Sequence, residues 1–219
     1  GTSPAFEVIE RMADTLLGVA IAWAFSYVLP SWERTQIPAL VARTLAAQAR
    51  HAREALGLGQ LQAVDNQPEL AWRLARREAY DSLSALVQAT QRSLSEPRAV
   101  RPPLEPLGRL LAHSYQLLAQ LTVVKTMLLL RRERLKPAQI RPPLAQAAQT
   151  IEATLAAAVP APSAPCAVRT EASTGPVALP DPFENDLSPW VLHRLDLACG
   201  LAVQLREDAD QVLHTSGGT

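Results

Sequence analysis

The sequence is poor in several residue types that mark particular classes of protein. Aromatic residues make up 5% of the chain, and lysine occurs only at positions 125 and 136. Charges balance, with 21 Lys and Arg residues against 21 Asp and Glu residues. Such a chain lacks the basic surface that holds nucleic-acid phosphates, so we expect no nucleic-acid partner. The two cysteines, Cys166 and Cys199, lie too far apart in sequence to form a ligand-spaced pair for zinc.

Motifs of enzyme active sites are also missing. The sequence has no Walker-type phosphate loop, nucleophile elbow, Ser–His–Asp signature or paired-carboxylate motif. None of the four histidines lies four residues from another histidine or at metal-ligand spacing from a cysteine. We therefore expect no enzymatic activity, no catalytic residue, no metal and no cofactor.

What the chain does contain is typical of a helical bundle. Hydrophobic residues make up 48% of it and are mostly Leu, Ala and Val. Apolar residues recur at helical spacing, and prolines and glycines separate the segments. The pattern predicts an all-α bundle of five or six helices, with long antiparallel helices and a proline-rich loop. We expect the helices at about residues 4–29, 37–56, 68–95, 105–135, 142–159 and 187–213.

Composition also divides the chain into four parts. We expect a hydrophobic, membrane-type helix and its exit over residues 1–34 and a helical bundle over residues 35–159. A flexible, proline-rich loop follows over residues 160–186. A C-terminal helix over residues 187–219 completes the chain and packs on the bundle.

The most hydrophobic stretch runs from Met12 to Trp32. Eighteen residues precede Pro30 in this stretch, and Asp14 is their only charge. A helix that crosses a bilayer needs about 20 apolar residues. Tyr27 and Trp32 lie at one end, as amphipathic aromatics do at a membrane boundary. From the residues alone, either a membrane helix or a fully buried core helix fits residues 12–29.

Three arginines open the third predicted helix and are candidates for binding an anion or a lipid headgroup. These are Arg73, Arg76 and Arg77. The alternative is mutual pairing, because Arg73 and Arg77 share a helix face with Asp81.

Two stretches of the sequence carry patterns that resemble one family. In the opening helix an R-x-x-D-T-x-x-G pattern leads to a Pro-x-Trp exit; the matching residues are Arg11, Asp14, Thr15, Gly18, Pro30 and Trp32. Further on, a basic pair precedes a tyrosine, a leucine stripe and Glu-Pro; the matching residues are Arg76, Arg77, Tyr80, Leu83, Leu86, Glu96 and Pro97. Over roughly residues 7–135 the chain resembles the C-terminal part of FUSC proteins, the fusaric-acid-resistance-like, YccS-type inner-membrane family.

This resemblance implies a function that the residues alone do not give. The chain would be the last membrane helix and the cytosolic C-terminal domain of a bacterial inner-membrane efflux transporter of aromatic-acid type, contributing assembly or regulation. Its partners would be the lipid bilayer, the remaining transmembrane part of the same protein and further copies of itself. Arg11 and Asp14 would then be a polar pair inside the membrane, or groups at a helix end near the headgroups.

Two alternatives to this interpretation remain. One is a soluble scaffold or adaptor bundle in which residues 12–29 form the central helix. The other is a small-molecule-binding bundle in which Arg73, Arg76 and Arg77 bind an aromatic carboxylate.

Overall fold

The computed structural model describes residues 4–28, 31–61, 69–96, 101–156 and 185–217. Over these ranges the chain forms six α-helices, two short 3-10 helices at Leu58–Leu61 and Arg132–Arg134, and no strand. The α-helices are α1 (Pro4–Val28), α2 (Ser31–Ala55), α3 (Leu70–Ser93), α4 (Leu104–Leu130), α5 (Pro137–Ala156) and α6 (Ser188–Gly217). The predicted all-α bundle is confirmed.

Helix α4 supplies much of the core. It packs most extensively against α6, while α2 packs against α3 and α5 contacts both α6 and α2. Leu110, Leu117 and Val124 recur every seven residues along α4, and all three are fully buried. Leu121 and Leu128 extend the same buried surface. Burying each such side chain stabilises the fold by about 1.5–3 kcal/mol, so α4 is the main apolar support of the bundle.

Two helices begin earlier than the sequence predicts. Helix α2 begins at Ser31 and contains Pro38, which the sequence placed at its start. Helix α5 begins at Pro137 and contains Pro142 and Pro143 near its start. A proline has no N–H, so the carbonyls four residues before Pro142 and Pro143 lack a helical donor. Both carbonyls belong to exposed residues, where water can hydrogen-bond them, and fully buried Ile140 holds this first turn against the core.

The start of α6 is tied to the turn between α4 and α5. The backbone N–H of Leu187 donates to the carbonyl oxygen of Arg134 at 2.8 Å. The backbone N–H of Lys136 donates to Ser188 Oγ at 2.8 Å, and that of Ser188 donates to Asp186 Oδ1 at 2.9 Å. Lys136 Nζ lies 2.6 Å from Asp186 Oδ2. The hydrogen bond from Lys136, followed by those from Ser188, lowers the pKa of Asp186 to about 2.

The predicted proline-rich loop over residues 160–186 lies outside the described residues, except for its last two positions. The C-terminal helix that follows it packs on α4 and α5.

Candidate functional site

Three polar side chains of α2 are fully buried beside its apolar stripe. Thr44, Gln48 and His51 follow one another at helical spacings of four and three residues, and none is exposed to solvent. Gln48 Nε2 donates to the carbonyl oxygen of Ser114 on α4 at 3.2 Å. Thr44 Oγ1 donates to the carbonyl oxygen of Leu40 at 2.9 Å. His51 therefore lies inside the bundle and not at its surface.

Two cations lie over one indole ring, and a buried histidine is close enough to interact with both charges. We call this group the polar cluster; its members are His51 of α2, Trp72 and Arg76 of α3, and Lys125 of α4. The guanidinium carbon of Arg76 lies 5.6 Å from the centre of the Trp72 ring. Lys125 Nζ lies 5.9 Å from the same centre. Both cations are therefore within range of the ring's negative face.

Lys125 is the largest fully buried side chain of the bundle. Its Nζ donates to the backbone carbonyl oxygen of Glu54 at 3.3 Å. Burial lowers the pKa of Lys125, while the carboxylates of Glu69 and Glu54 act in the opposite direction. Its ammonium group thus lies inside the bundle, against the end of α2 and the Trp72 ring of α3.

His51 is held neutral near pH 7 by its surroundings. Burial, and then the positive charges of Arg76 and Lys125, lower the pKa of His51 to about 4. Neither ring nitrogen of His51 has a hydrogen-bond partner among the described residues. The same is true of Trp72 Nε1 and Arg76 Nε, which are buried as well. Because an unpaired buried polar atom costs about 1–3 kcal/mol, four of them in one place call for a specific explanation.

The structure separates the three arginines that the sequence grouped together. Arg76 points into the polar cluster and also lies over the ring of Tyr80, at 5.6 Å from its centre. Arg73 and Arg77 are exposed. Arg77 Nε lies 3.7 Å from Asp81 Oδ2 in the i,i+4 pair that the sequence offered as the alternative. Binding of an anion or headgroup by any of the three stays a prediction.

Helix α1 is exposed to solvent over its central part, residues 8–25. Every residue from position 8 to position 25 is exposed, and the exposed fraction of its large apolar side chains runs from 49% at Ile21 to 67% at Leu16. A helix buried at the centre of this chain, as in the scaffold alternative, is therefore ruled out over these positions. Arg11 and Asp14 are exposed on α1 too, and no ion pair joins them in the part of the chain that is described. Their role as a polar pair in a membrane stays a prediction.

Among the residues that the structure describes, none of the helices is long and apolar enough to cross a membrane. The predicted span over residues 12–29 is therefore not confirmed.

A second buried charged side chain, that of Asp208, joins α6 to α4, and no sequence pattern singled it out. The side chain of Asp208 is only 6% exposed to solvent. Asp208 Oδ1 accepts a hydrogen bond from Arg109 Nε at 3.0 Å, and Asp208 Oδ2 lies 2.6 Å from His113 Nδ1. The hydrogen bond to Asp208 raises the pKa of Arg109. The described ranges contain no group of three or more His, Cys, Asp or Glu side chains that would hold a metal ion.

Fold and site together define an all-helical domain with an exposed apolar helix and a buried cationic cluster. Its sequence is similar to inner membrane protein YccS of Escherichia coli strain K12, with 37% identity over 108 residues, which are 48% of this chain and 15% of that protein. It is also similar to an uncharacterized protein of Haemophilus influenzae, with 30% identity over 125 residues, 57% of this chain and 17% of that protein. The chain thus spans less than a fifth of either relative's length. No family model and no solved structure matches the chain.

Proposed function

We propose that this chain is the C-terminal, cytosolic helical domain of a YccS-like inner-membrane protein of the FUSC family. The whole protein would be an efflux transporter of aromatic-acid type, and this domain would contribute assembly or regulation. Two findings support the proposal: the similarity to a protein that is named an inner membrane protein, and the small share of that protein that the chain spans. The remainder of such a protein has room for the transmembrane helices that transport requires.

The exposure of α1 is the observation that carries this proposal. Its exposed large apolar side chains are Val8, Ile9, Met12, Leu16, Leu17, Val19, Ile21, Trp23 and Phe25. A helix that is apolar around its circumference is stable when lipid or other apolar side chains cover it. In the proposed arrangement the bilayer and the transmembrane part of the same protein cover α1. Arg11 and Asp14 would then lie near the headgroups at one end of the helix.

The attachment role of α1 is tested by flotation with lipid vesicles. The full chain, mixed with vesicles of phosphatidylethanolamine and phosphatidylglycerol, is expected to float with the lipid. A chain lacking residues 1–30 is expected to stay in solution and keep the helical circular dichroism of α2 to α6. A matched variant, Leu17→Glu with Ile21→Glu, keeps the length of α1 and is expected to float poorly, because charged side chains are costly in lipid. A full chain that is a monomer without detergent and does not bind the vesicles would contradict the proposal.

Assembly and efflux are tested in the intact protein from which such a domain derives. Sedimentation in detergent is expected to give a homo-oligomer, and removal of this domain is expected to change its size or its transport rate. Cells lacking the protein are expected to accumulate an added aromatic acid such as benzoate. Equal accumulation with and without the protein would contradict the efflux part of the proposal, and it would leave the attachment test unaffected.

A further inference from the structure

The polar cluster presents hydrogen-bond donors from three helices that find no acceptor among the described residues. Arg76 Nε and Trp72 Nε1 each carry an N–H that can only donate, and both atoms are buried and unpaired. His51, when neutral, adds one more N–H from a ring that is also buried and unpaired. Lys125 carries three N–H groups, one of which reaches the carbonyl oxygen of Glu54. The cluster is therefore rich in donors and poor in acceptors.

Charge in the polar cluster is unbalanced in the same direction. Arg76 and Lys125 are both cationic, and both positive charges act on His51 and lower its pKa. The carboxylates that face Lys125 belong to Glu54 and Glu69. Neither carboxylate forms an ion pair with Lys125 or Arg76 in the described ranges, and Glu69 is exposed to solvent. A buried cation without a paired anion is unfavourable, so a ligand that brings negative charge would stabilise this arrangement.

We propose that the polar cluster binds a small tetrahedral oxyanion of the phosphate or sulfate class. Such an anion supplies both acceptor oxygens and negative charge, and hydrogen bonds between ionised groups are the strong ones. Its oxygens point in several directions, which suits donors that arrive from α2, α3 and α4. A planar carboxylate has two oxygens on one side and would meet fewer of these donors. A water molecule would accept hydrogen bonds and leave the charge of Arg76 and Lys125 unbalanced.

This anion site does not depend on the proposed membrane function. Binding at this site would link the anion to the packing of the bundle, because three helices would contact one ligand. Anion binding is expected to stabilise the folded chain against urea by an amount that rises with anion concentration.

The proposal is tested by nuclear magnetic resonance titration of the full chain at constant ionic strength, with chloride replaced stepwise by phosphate or sulfate. We expect saturable shifts of the Trp72 indole N–H and of the His51 ring signals. The bound anion is also expected to raise the pH at which His51 titrates, because a nearby negative charge favours imidazolium. The Trp72 signal is assigned by its loss in Trp72→Phe.

Two variants separate the polar cluster from the exposed surface of the same helix. Arg76→Gln is expected to weaken anion binding by at least about tenfold, the effect of removing one charged hydrogen-bond donor. Arg73→Gln changes the net charge equally, one turn earlier and on an exposed side chain, and is expected to leave binding unchanged. Trp72→Phe keeps a packed ring in place of the indole and is expected to weaken binding to a smaller extent, which keeps the test usable if Arg76→Gln fails to fold.

Three results would overturn the proposal. One is a parent chain whose Trp72 and His51 signals show no saturable response to phosphate or sulfate. Another is equal loss of binding in Arg73→Gln and Arg76→Gln, which would indicate general surface charge. The third is a response to acetate or benzoate without a response to either tetrahedral anion.

Discussion

The titration of His51 offers the sharpest test of the buried polar cluster, because its sign and size both follow from the structure. Its ordinary pKa of 6.5 falls to about 4 in the folded chain. A lowered pKa means that the unfolded chain binds the proton more tightly, so acid favours unfolding. Stability is thus constant above about pH 6.5, falls as the pH drops through the unfolded pKa, and levels off near the folded pKa of about 4.

The expected effect is large for a single side chain. A shift of this size corresponds to about 3 kcal/mol in total, of which about 2 kcal/mol is lost between pH 7 and pH 5. The measurement is the free energy of unfolding of the full chain in urea at both pH values, in buffers without phosphate or sulfate. The parent is expected to lose about 2 kcal/mol more than His51→Gln over this interval, because the glutamine does not titrate.

The control is His214→Gln, which removes an exposed histidine from α6. It is expected to keep the full pH dependence of the parent. A parent and a His51→Gln variant with parallel pH dependence would refute the reasoning, since His51 would then titrate alike in the folded and unfolded chains.

Three further predictions concern the packing and the charges around the bundle. Leu121→Ala, at a fully buried position of α4, is expected to lower the free energy of unfolding in urea by about 2–5 kcal/mol. Leu130→Ala, at an exposed position of the same helix, should change it by less than about 0.5 kcal/mol, and similar effects of the two variants would contradict the packing. Asp208→Asn is expected to destabilise the chain by about 1.5–3 kcal/mol in the same assay, because Arg109 and His113 lose a buried, charged acceptor. Glu207→Gln, which changes the exposed neighbouring residue, serves as its control. Asp186→Asn is expected to remove the loss of stability that acid causes between about pH 4 and pH 2. The lowered pKa of Asp186 stabilises the fold at pH values above the pKa that this residue has in the unfolded chain. An acid unfolding curve identical to that of the parent would argue against the link from Asp186 to Lys136.

The apolar spacing of the sequence was sufficient to predict most of the core. Leu110, Leu117 and Val124 form a seven-residue repeat on the fourth helix, and all three are fully buried. Spacing succeeds here because a helix apolar on several faces has to be surrounded by other helices. It fails at helix starts, because Ser31 and Pro137 begin helices that the prolines of the sequence predict to start at about residues 37 and 142.

The polar cluster was harder to predict, because residue type alone assigns His, Lys and Asp to the surface. His51 and Lys125 are buried through contacts between helices that lie far apart in sequence, which no local pattern encodes. One signal was available in the second helix. Thr44, Gln48 and His51 recur at the same helical spacing as the apolar stripe beside them, which is typical of a polar row inside a core.

The junction between the first two helices has a mechanical consequence. Helix α1 ends at Val28 and α2 begins at Ser31, so three peptide units, at most about 10 Å of chain, join them. A tether of this length restricts how far α1 can swing without pulling on α2. His51 lies about five and a half turns beyond Ser31 on the same helix. A displacement of α1 that moves the start of α2 would therefore be carried toward the polar cluster by one continuous helix.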